Sequence, residues 1–360
     1  MAEYIENQYA PDFVSPPGET LQELLEERKL SQAELAARMG RPKKTINEII
    51  KGKAAITPET ALELELVLGV PANFWNARES NYRAGLARAA QQERLQRQVK
   101  WMQRFPVKDL VAGGWIPPVK KAEEKVLALL TFFGVASDEQ WNSLYNSYGA
   151  AFRKSAAFES SPEALAAWLR CGVIEAGEIE CQDFDADKFV DRLQAIRDLT
   201  TQHPNVFQPE MTRLAASSGV AVTFVPQLKN SRVSGATRWL NPSTALIQLS
   251  LRYKSDDHFW FTFFHEAAHI LLHGKKLIFL ETAEHEGKLE REANRWAADF
   301  LIPAEAYDEF VCGNQLGSKW ISAFAKEIGI APGIVVGRLQ HDGILPYNRC
   351  NELKCRFEWV

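Results

Sequence analysis

The stretch Phe261-Thr262-Phe263-Phe264-His265-Glu266-Ala267-Ala268-His269-Ile270-Leu271-Leu272-His273 decides how this chain is read. It opens on an apolar run, which suits a buried helix with Ser255 or Asp256 capping its start and Gly274 stopping it. Residues four apart share a helix face, so His265 and His269 present two imidazoles to one point. Paired imidazoles at this spacing suit a zinc ion, and Glu266 can act on a water there as general base without itself ligating the metal. A buried helix carrying two histidines by accident would share this short pattern, so a third ligand is needed to separate the two readings.

That ligand comes from Lys288-Leu289-Glu290-Arg291-Glu292-Ala293-Asn294-Arg295-Trp296-Ala297-Ala298-Asp299-Phe300-Leu301. Leu289, Ala293, Trp296, Ala297, Phe300 and Leu301 recur at helical spacing and form one stripe. At about 100° per residue, Glu290 falls inside that stripe, beside Ala297, Leu301 and Asn294. Glu292 falls on the charged side with Arg295 and Asp299. A carboxylate on a core-facing stripe needs a partner, which a metal ion supplies. Glu290 is therefore the expected third ligand and Glu292 the solvated one. Asn294, one turn on, is placed to hydrogen-bond a ligand histidine.

A length of 360 residues predicts two or three domains with enough apolar content for real cores. The net charge of −4 excludes a bulk polyanion binder, so any nucleic-acid surface has to be local. The cysteines (Cys171, Cys181, Cys312, Cys350, Cys355) are odd in number and scattered, which predicts free thiols in a reducing cytoplasm. Cys350 and Cys355 lack a second pair to complete a metal site. No leader-like or membrane-length apolar run is present, so the expectation is a cytoplasmic chain with no membrane partner.

Residues 1–17 read as a loose arm. Leu21, Leu24, Leu25 and Arg28 then give an amphipathic helix. Ser31 with Glu34 forms a capping box for a short helix ended by Gly40. Arg41-Pro42 opens a third helix, with proline in its first turn, running to Gly52. Two short helices joined by a tight glycine turn, the second basic, read as a helix-turn-helix. A fourth helix starts at Thr57-Pro58-Glu59 and stops at Gly69. Arg41, Lys43, Lys44, Lys51 and Lys53 against Glu48 are enough for phosphate neutralisation, with Lys51 near the phosphates. A helical dimerisation module with a solvated basic face is the alternative.

The stretches Ser31-Gln32-x-Glu34-Leu35-Ala36, Lys44-Thr45-Ile46-Asn47-Glu48-Ile49-Ile50-Lys51-Gly52-Lys53, Ile56-Thr57-Pro58-Glu59-Thr60-Ala61 and Leu68-Gly69-Val70-Pro71-x-x-Phe74-Trp75 resemble the Cro/C1-type (XRE) domain. The variant is that of HigA-family antitoxins, and the resemblance covers residues 18–80. It implies double-stranded DNA as partner and a possible homodimer on paired half-sites. Gln32 would start the helix that crosses the phosphate backbone, and Lys43, Lys44, Thr45 and Asn47 would face the bases.

Residues 82–104 carry Arg83, Arg88, Arg94, Arg97, Lys100 and Arg104 against Glu93, which predicts a long helix leaving the DNA-binding domain. It reads as a solvated connection between two domains, with extended phosphate contacts as the alternative. Helical spacing continues through Ala122–Phe133, Asp138–Ala156, Ser161–Leu169 and Ala186–Leu199, with Trp141 and Trp168 as core residues and no catalytic cluster. At Gly219 the pattern turns to strands: Gly219–Pro226, Ser234–Leu240 and Ala245–Ser250, with Asn241-Pro242-Ser243 as a turn. Three strands leading into the histidine helix fit a zincin α+β core. With His265-Glu266-x-x-His269 and Glu290-x-x-Ala293-Asn294-x-x-Ala297-x-x-x-Leu301-x-Pro303, residues 205–305 resemble the ImmA/IrrE family of zinc metallopeptidases. Ala267-Ala268 departs from the bulkier residue plus glycine common there, yet still permits close helix packing. Ile321–Ile328 and Pro332–Gln340 read as closing helices. His258, His273 and His285 read as packing or surface residues, an oxyanion-stabilising role staying open for one of them or for Tyr253.

The expected architecture is multidomain. An all-α helix-turn-helix domain spans 1–80, a helical middle region 81–204, and an α+β zincin-like metallopeptidase domain 205–360. The expected function is a DNA-binding transcriptional regulator with zinc-dependent endopeptidase activity. A partner repressor or antitoxin is the substrate that the resemblance implies. The alternative is a HigA-type antitoxin or repressor whose zinc domain senses or docks without proteolysis.

Overall fold

A helix starts where a side-chain oxygen can take an unpaired first-turn N–H. Ser31 Oγ accepts from the Glu34 backbone N–H at 3.2 Å while Glu34 Oε2 accepts from that of Ser31 at 3.0 Å. Thr57 Oγ1 accepts from the Thr60 N–H at 3.3 Å. The computed structural model of the protein describes residues 15–145, 161–274 and 286–358. It divides into two compact units, Met1–Gln98 and Val99–Val360. The expected arm over 1–17 lies outside the described residues except for 15–17.

The first unit holds α1 (Pro17–Glu27), α2 (Gln32–Arg38), α3 (Lys43–Ile50), α4 (Pro58–Leu68) and α5 (Ala72–Arg97). Gly40 turns the chain between α2 and α3 at φ +65°, a conformation that favours glycine. Pro42 is the N-cap of α3 rather than a first-turn residue. Leu21, Leu25, Leu35, Ile46, Ile49, Leu64 and Trp75 form the core. The sequence ends this domain at residue 80, but that position falls inside α5. No proline interrupts α5, so its polar, arginine-rich second half stays helical and the unit runs on to Gln98.

The second unit holds residues 99–204 of the expected helical middle region together with the strands. Trp141 and Trp168 are buried as expected. The part of the expected Asp138–Ala156 helix beyond residue 145 lies outside the described residues. β1 (Val220–Phe224), β2 (Gly235–Asn241) and β3 (Thr244–Leu249) form a sheet in the order β1-β3-β2. β1 runs parallel and β2 antiparallel to β3. Alternation along the strands sorts their side chains onto two faces. Ala221 and Leu246 face the helix Pro162–Ala176, and Val220, Val222 and Ile247 join the main core. That core contains Trp260, Phe263 and Phe264 of the histidine helix, Asp256–Leu272. The helix ends at Leu272, two residues before the expected stop at Gly274.

The glutamate helix, Glu286–Leu301, packs on the histidine helix through buried Ala293, Ala297 and Leu301. The closing helices are Ser318–Glu327 and Pro332–His341. Arg197 ties this assembly together from inside, donating to the carbonyls of Leu301 (3.0 Å) and Ile328 (2.9 Å). At the start of the histidine helix, Asp257 Oδ2 accepts from Lys354 Nζ at 2.7 Å, which also donates to Gln340 Oε1. All five cysteines are free thiols. Among the described residues, no single helix is long and apolar enough to cross a membrane.

Candidate metal centre

The four-residue spacing on the histidine helix brings Nε2 of His265 and Nε2 of His269 to 3.0 Å. The glutamate helix crosses them so that Glu290 Oε2 lies 3.1 Å from His265 Nε2 and Oε1 lies 3.3 Å from His269 Nε2. Ligand atoms from all three residues lie within 4.8 Å of one another, and no other such trio of His, Cys, Asp or Glu occurs among the described residues. Burial alone would raise the Glu290 pKa, but hydrogen bonds and charge from the two histidines outweigh it and hold the carboxyl at about 2. Burial works against charge on His265, and the hydrogen bond to Glu290 with the charge of Glu266 overcomes it, raising its pKa. Three donors this close can share one electrophile, a proton or a metal ion. Two imidazoles and a carboxylate are the donor set that suits zinc.

Glu266 stands apart from the trio and is 8 % exposed. Burial pushes its carboxyl pKa up, against the charges of His265 and His269. The neighbouring strand makes room for it. A Cβ on Gly235 of β2 would lie 2.9 Å from Glu266 Oε1, so glycine lets the carboxylate rest against the strand. Thr237 Oγ1, also on β2, donates to the Glu266 carbonyl at 3.1 Å. A cavity of about 510 Å³ lies toward the start of the histidine helix, with Asp257, Phe261, Asn294, Ile334 and Arg338 among its walls; none of His265, Glu266, His269 or Glu290 lines it.

Asn294 is exposed; it adds to the raised pKa of His265, yet no well-formed hydrogen bond reaches the buried His265 Nδ1. Glu292 is half-exposed, with Lys288 Nζ at 3.8 Å. His273, read as a packing or surface residue, is on the packing side of that reading. It is buried, with Nδ1 2.9 Å from His269 Nδ1 and Nε2 3.5 Å from Glu292 Oε2. The signal was present in the sequence as a second four-residue step after His269. His258 is exposed and stacks on Tyr253 at 4.3 Å between ring centroids, and His285 lies outside the described residues.

In the first unit, Lys43, Lys44 and Lys51 are exposed, while Thr45 and Asn47 are half-buried on α3. Asn47 Nδ2 donates to Gln32 Oε1 at 3.4 Å, and Gln32 Nε2 to Gln22 Oε1 at 3.1 Å. Asn47, expected to face the bases, is thus braced by Gln32, expected at the phosphate backbone; Lys43 and Lys44 project from α3, and Lys51 is its C-cap.

Residues 21–75 match the family model described as Helix-turn-helix, and residues 216–335 that of the IrrE N-terminal-like domain. Both resemblances read from the residues are borne out at the level of family. The uncharacterized HTH-type transcriptional regulator YddM of Escherichia coli (strain K12) is 39 % identical over 59 residues, 16 % of this chain. This chain spans 63 % of that curated relative's length. Among solved structures, the Pseudomonas aeruginosa antitoxin HigA with the higBA promoter is 32 % identical over 22 % of this chain and 86 % of its own, with a TM-score of 0.21. An addiction module antidote protein of a HigA family from Coxiella burnetii is 28 % identical over 25 % of this chain and 91 % of its own, with a TM-score of 0.20.

Proposed function

We propose, for a chain that joins an XRE-type helix-turn-helix segment to an IrrE-like segment, a DNA-binding regulator whose second unit is a zinc-dependent endopeptidase acting on a partner repressor or antitoxin. The observation that carries this reading is the convergence of His265, His269 and Glu290 beside a buried Glu266. His265, His269 and Glu290 would hold the ion. Zinc bound there supplies Lewis acidity toward a scissile carbonyl. Glu266 takes a proton from water at its carboxylate and returns it to the leaving amine, work suited to a carboxyl whose pKa burial has raised. Thr237 holds the backbone carbonyl of Glu266, and Gly235 leaves its carboxylate room against β2. β2 pairs only with β3 among the described residues, so its outer edge offers an extended peptide a strand to join.

For DNA, the exposed Lys43, Lys44 and Lys51 suit phosphate contacts, and Thr45 and Asn47 suit base edges. Likeness in sequence to an HTH-type transcriptional regulator supports this half of the reading. Metal analysis of protein purified without chelators tests the centre. The wild type should carry about one zinc per chain. Glu290→Ala should lose most of it, and Glu292→Ala should keep it. Loss in Glu292→Ala with retention in Glu290→Ala would place the third ligand on the wrong residue.

A further inference from the structure

His273 is buried one turn beyond His269, and the chemistry proposed above leaves it without a task. Its Nδ1 lies 2.9 Å from Nδ1 of His269, and its Nε2 lies 3.5 Å from Oε2 of Glu292. On the far side of its ring, His269 turns Nε2 toward His265 and Glu290. Two ring nitrogens at hydrogen-bond distance share one proton, so one ring donates and the other accepts. If the proton is on His269 Nδ1, the lone pair of its Nε2 is free for a metal. His273 must then accept at Nδ1 and carry its own proton on Nε2, where Glu292 faces it. In the opposite order His269 is protonated on Nε2, and that proton blocks the metal position.

We propose that His273 and Glu292 form a positioning relay that holds His269 in the tautomer able to bind metal. The proposal rests on the metal-centre reading of His265, His269 and Glu290. His269 is 2 % exposed, so a protein group rather than bulk water has to accept from its Nδ1. His273 is that acceptor. A carboxylate acting through a second group on a metal-binding histidine fixes ring orientation and proton position together. Glu292 is the part of the relay that reaches solvent, at 47 % side-chain exposure, so His273 contributes more than Glu292 does.

Zinc affinity measured by chelator competition on the full chain tests the relay. His273→Phe keeps the ring volume and removes the acceptor, and should weaken zinc by about 10–100-fold. His273→Asn can place Oδ1 where Nδ1 stood, and should recover most of that loss. Glu292→Gln should weaken zinc less than His273→Phe does. In the zinc-loaded wild type, ¹⁵N imidazole spectra should show His269 protonated at Nδ1 and His273 at Nε2. Wild-type affinity in His273→Phe overturns the proposal. So does an equal loss in His273→Phe and His273→Asn, which would mark a packing role. A His273 proton found on Nδ1 overturns it with no variant needed. Failure of the metal centre itself looks different: the wild type and His269→Ala would then bind zinc alike.

Discussion

Replacing Gly235 by alanine would put a methyl group 2.9 Å from Oε1 of Glu266, 3.0 Å from its Cγ and 2.6 Å from Cγ2 of Thr262. Ordinary carbon contacts begin near ~3.5 Å, so the side chains have to give by up to about 1 Å. All three atoms belong to side chains on the histidine helix, so rotation rather than backbone movement can relieve the crowding. The stability cost should fall at the low end of the ~1–3 kcal/mol typical of overpacking. At about 2–4 °C per kcal/mol, melting should drop by only a few degrees. Catalysis should suffer more, because a base displaced by about 1 Å can cost up to ~100-fold in rate. His265, His269 and Glu290 are not among the atoms displaced, so zinc should be retained. The assay compares Gly235→Ala with the wild type for melting, zinc content and cleavage of a proteome-derived peptide library followed by mass spectrometry. Full zinc with wild-type cleavage in Gly235→Ala would refute the role given to β2 in holding Glu266.

Three further outcomes follow from other parts of the molecule. Burial, with the charge of Asp257 adding to it, pushes the Asp256 carboxyl from 3.8 up to about 6. A raised folded-state pKa means the fold prefers the protonated group, so this contribution is full below pH ~4 and is lost as pH rises through about 6. Asp256→Asn should therefore be more stable than the wild type above that range, by on the order of 1–3 kcal/mol, and equal to it at low pH. Urea melts at both ends of the range check this, and an equal difference at both ends would count against it. DNA binding should be salt-sensitive, with Lys51→Ala weakening all sequences alike and lowering the salt slope by about 1. Asn47→Ala should cost about 1–3 kcal/mol at one base position, and Gln32→Ala should affect the same position through the Gln32–Asn47 contact. Gel shifts unchanged by all three variants would remove α3 as the reading element.

The helix faces were legible in the sequence. Glu290 lies on a stripe with Ala297 and Leu301, and the glutamate helix delivers it to His265 and His269. Strand positions and the capping box at Ser31 were equally local signals. Features that depend on what comes close from elsewhere were not legible. The importance of Gly235 comes from Glu266 and Thr262 lying against it, about thirty residues on. Gly333 and Gly337 let Asp256 and Asp257 pack against a helix far along the chain, and the two carboxylates gave no sign of it. His273 read only as a packing or surface residue, because the four-residue step from His269 does not by itself say that the two rings meet.

Proteolysis by Glu266 is the central claim, and Glu266→Gln tests it most directly because it keeps size and all three metal-binding residues. New protein N-termini would be compared by mass spectrometry in cells of the native host carrying either the wild type or Glu266→Gln, with both proteins shown to hold zinc. The account predicts an N-terminus within a DNA-binding partner that is present with the wild type and reduced by about two to four orders of magnitude in Glu266→Gln. The uncut partner should also be trapped on the variant, since ground-state contacts survive when the chemical step is blocked. Identical N-termini in both strains, with regulation unchanged, would contradict the peptidase reading and leave a metal-binding repressor that senses or docks.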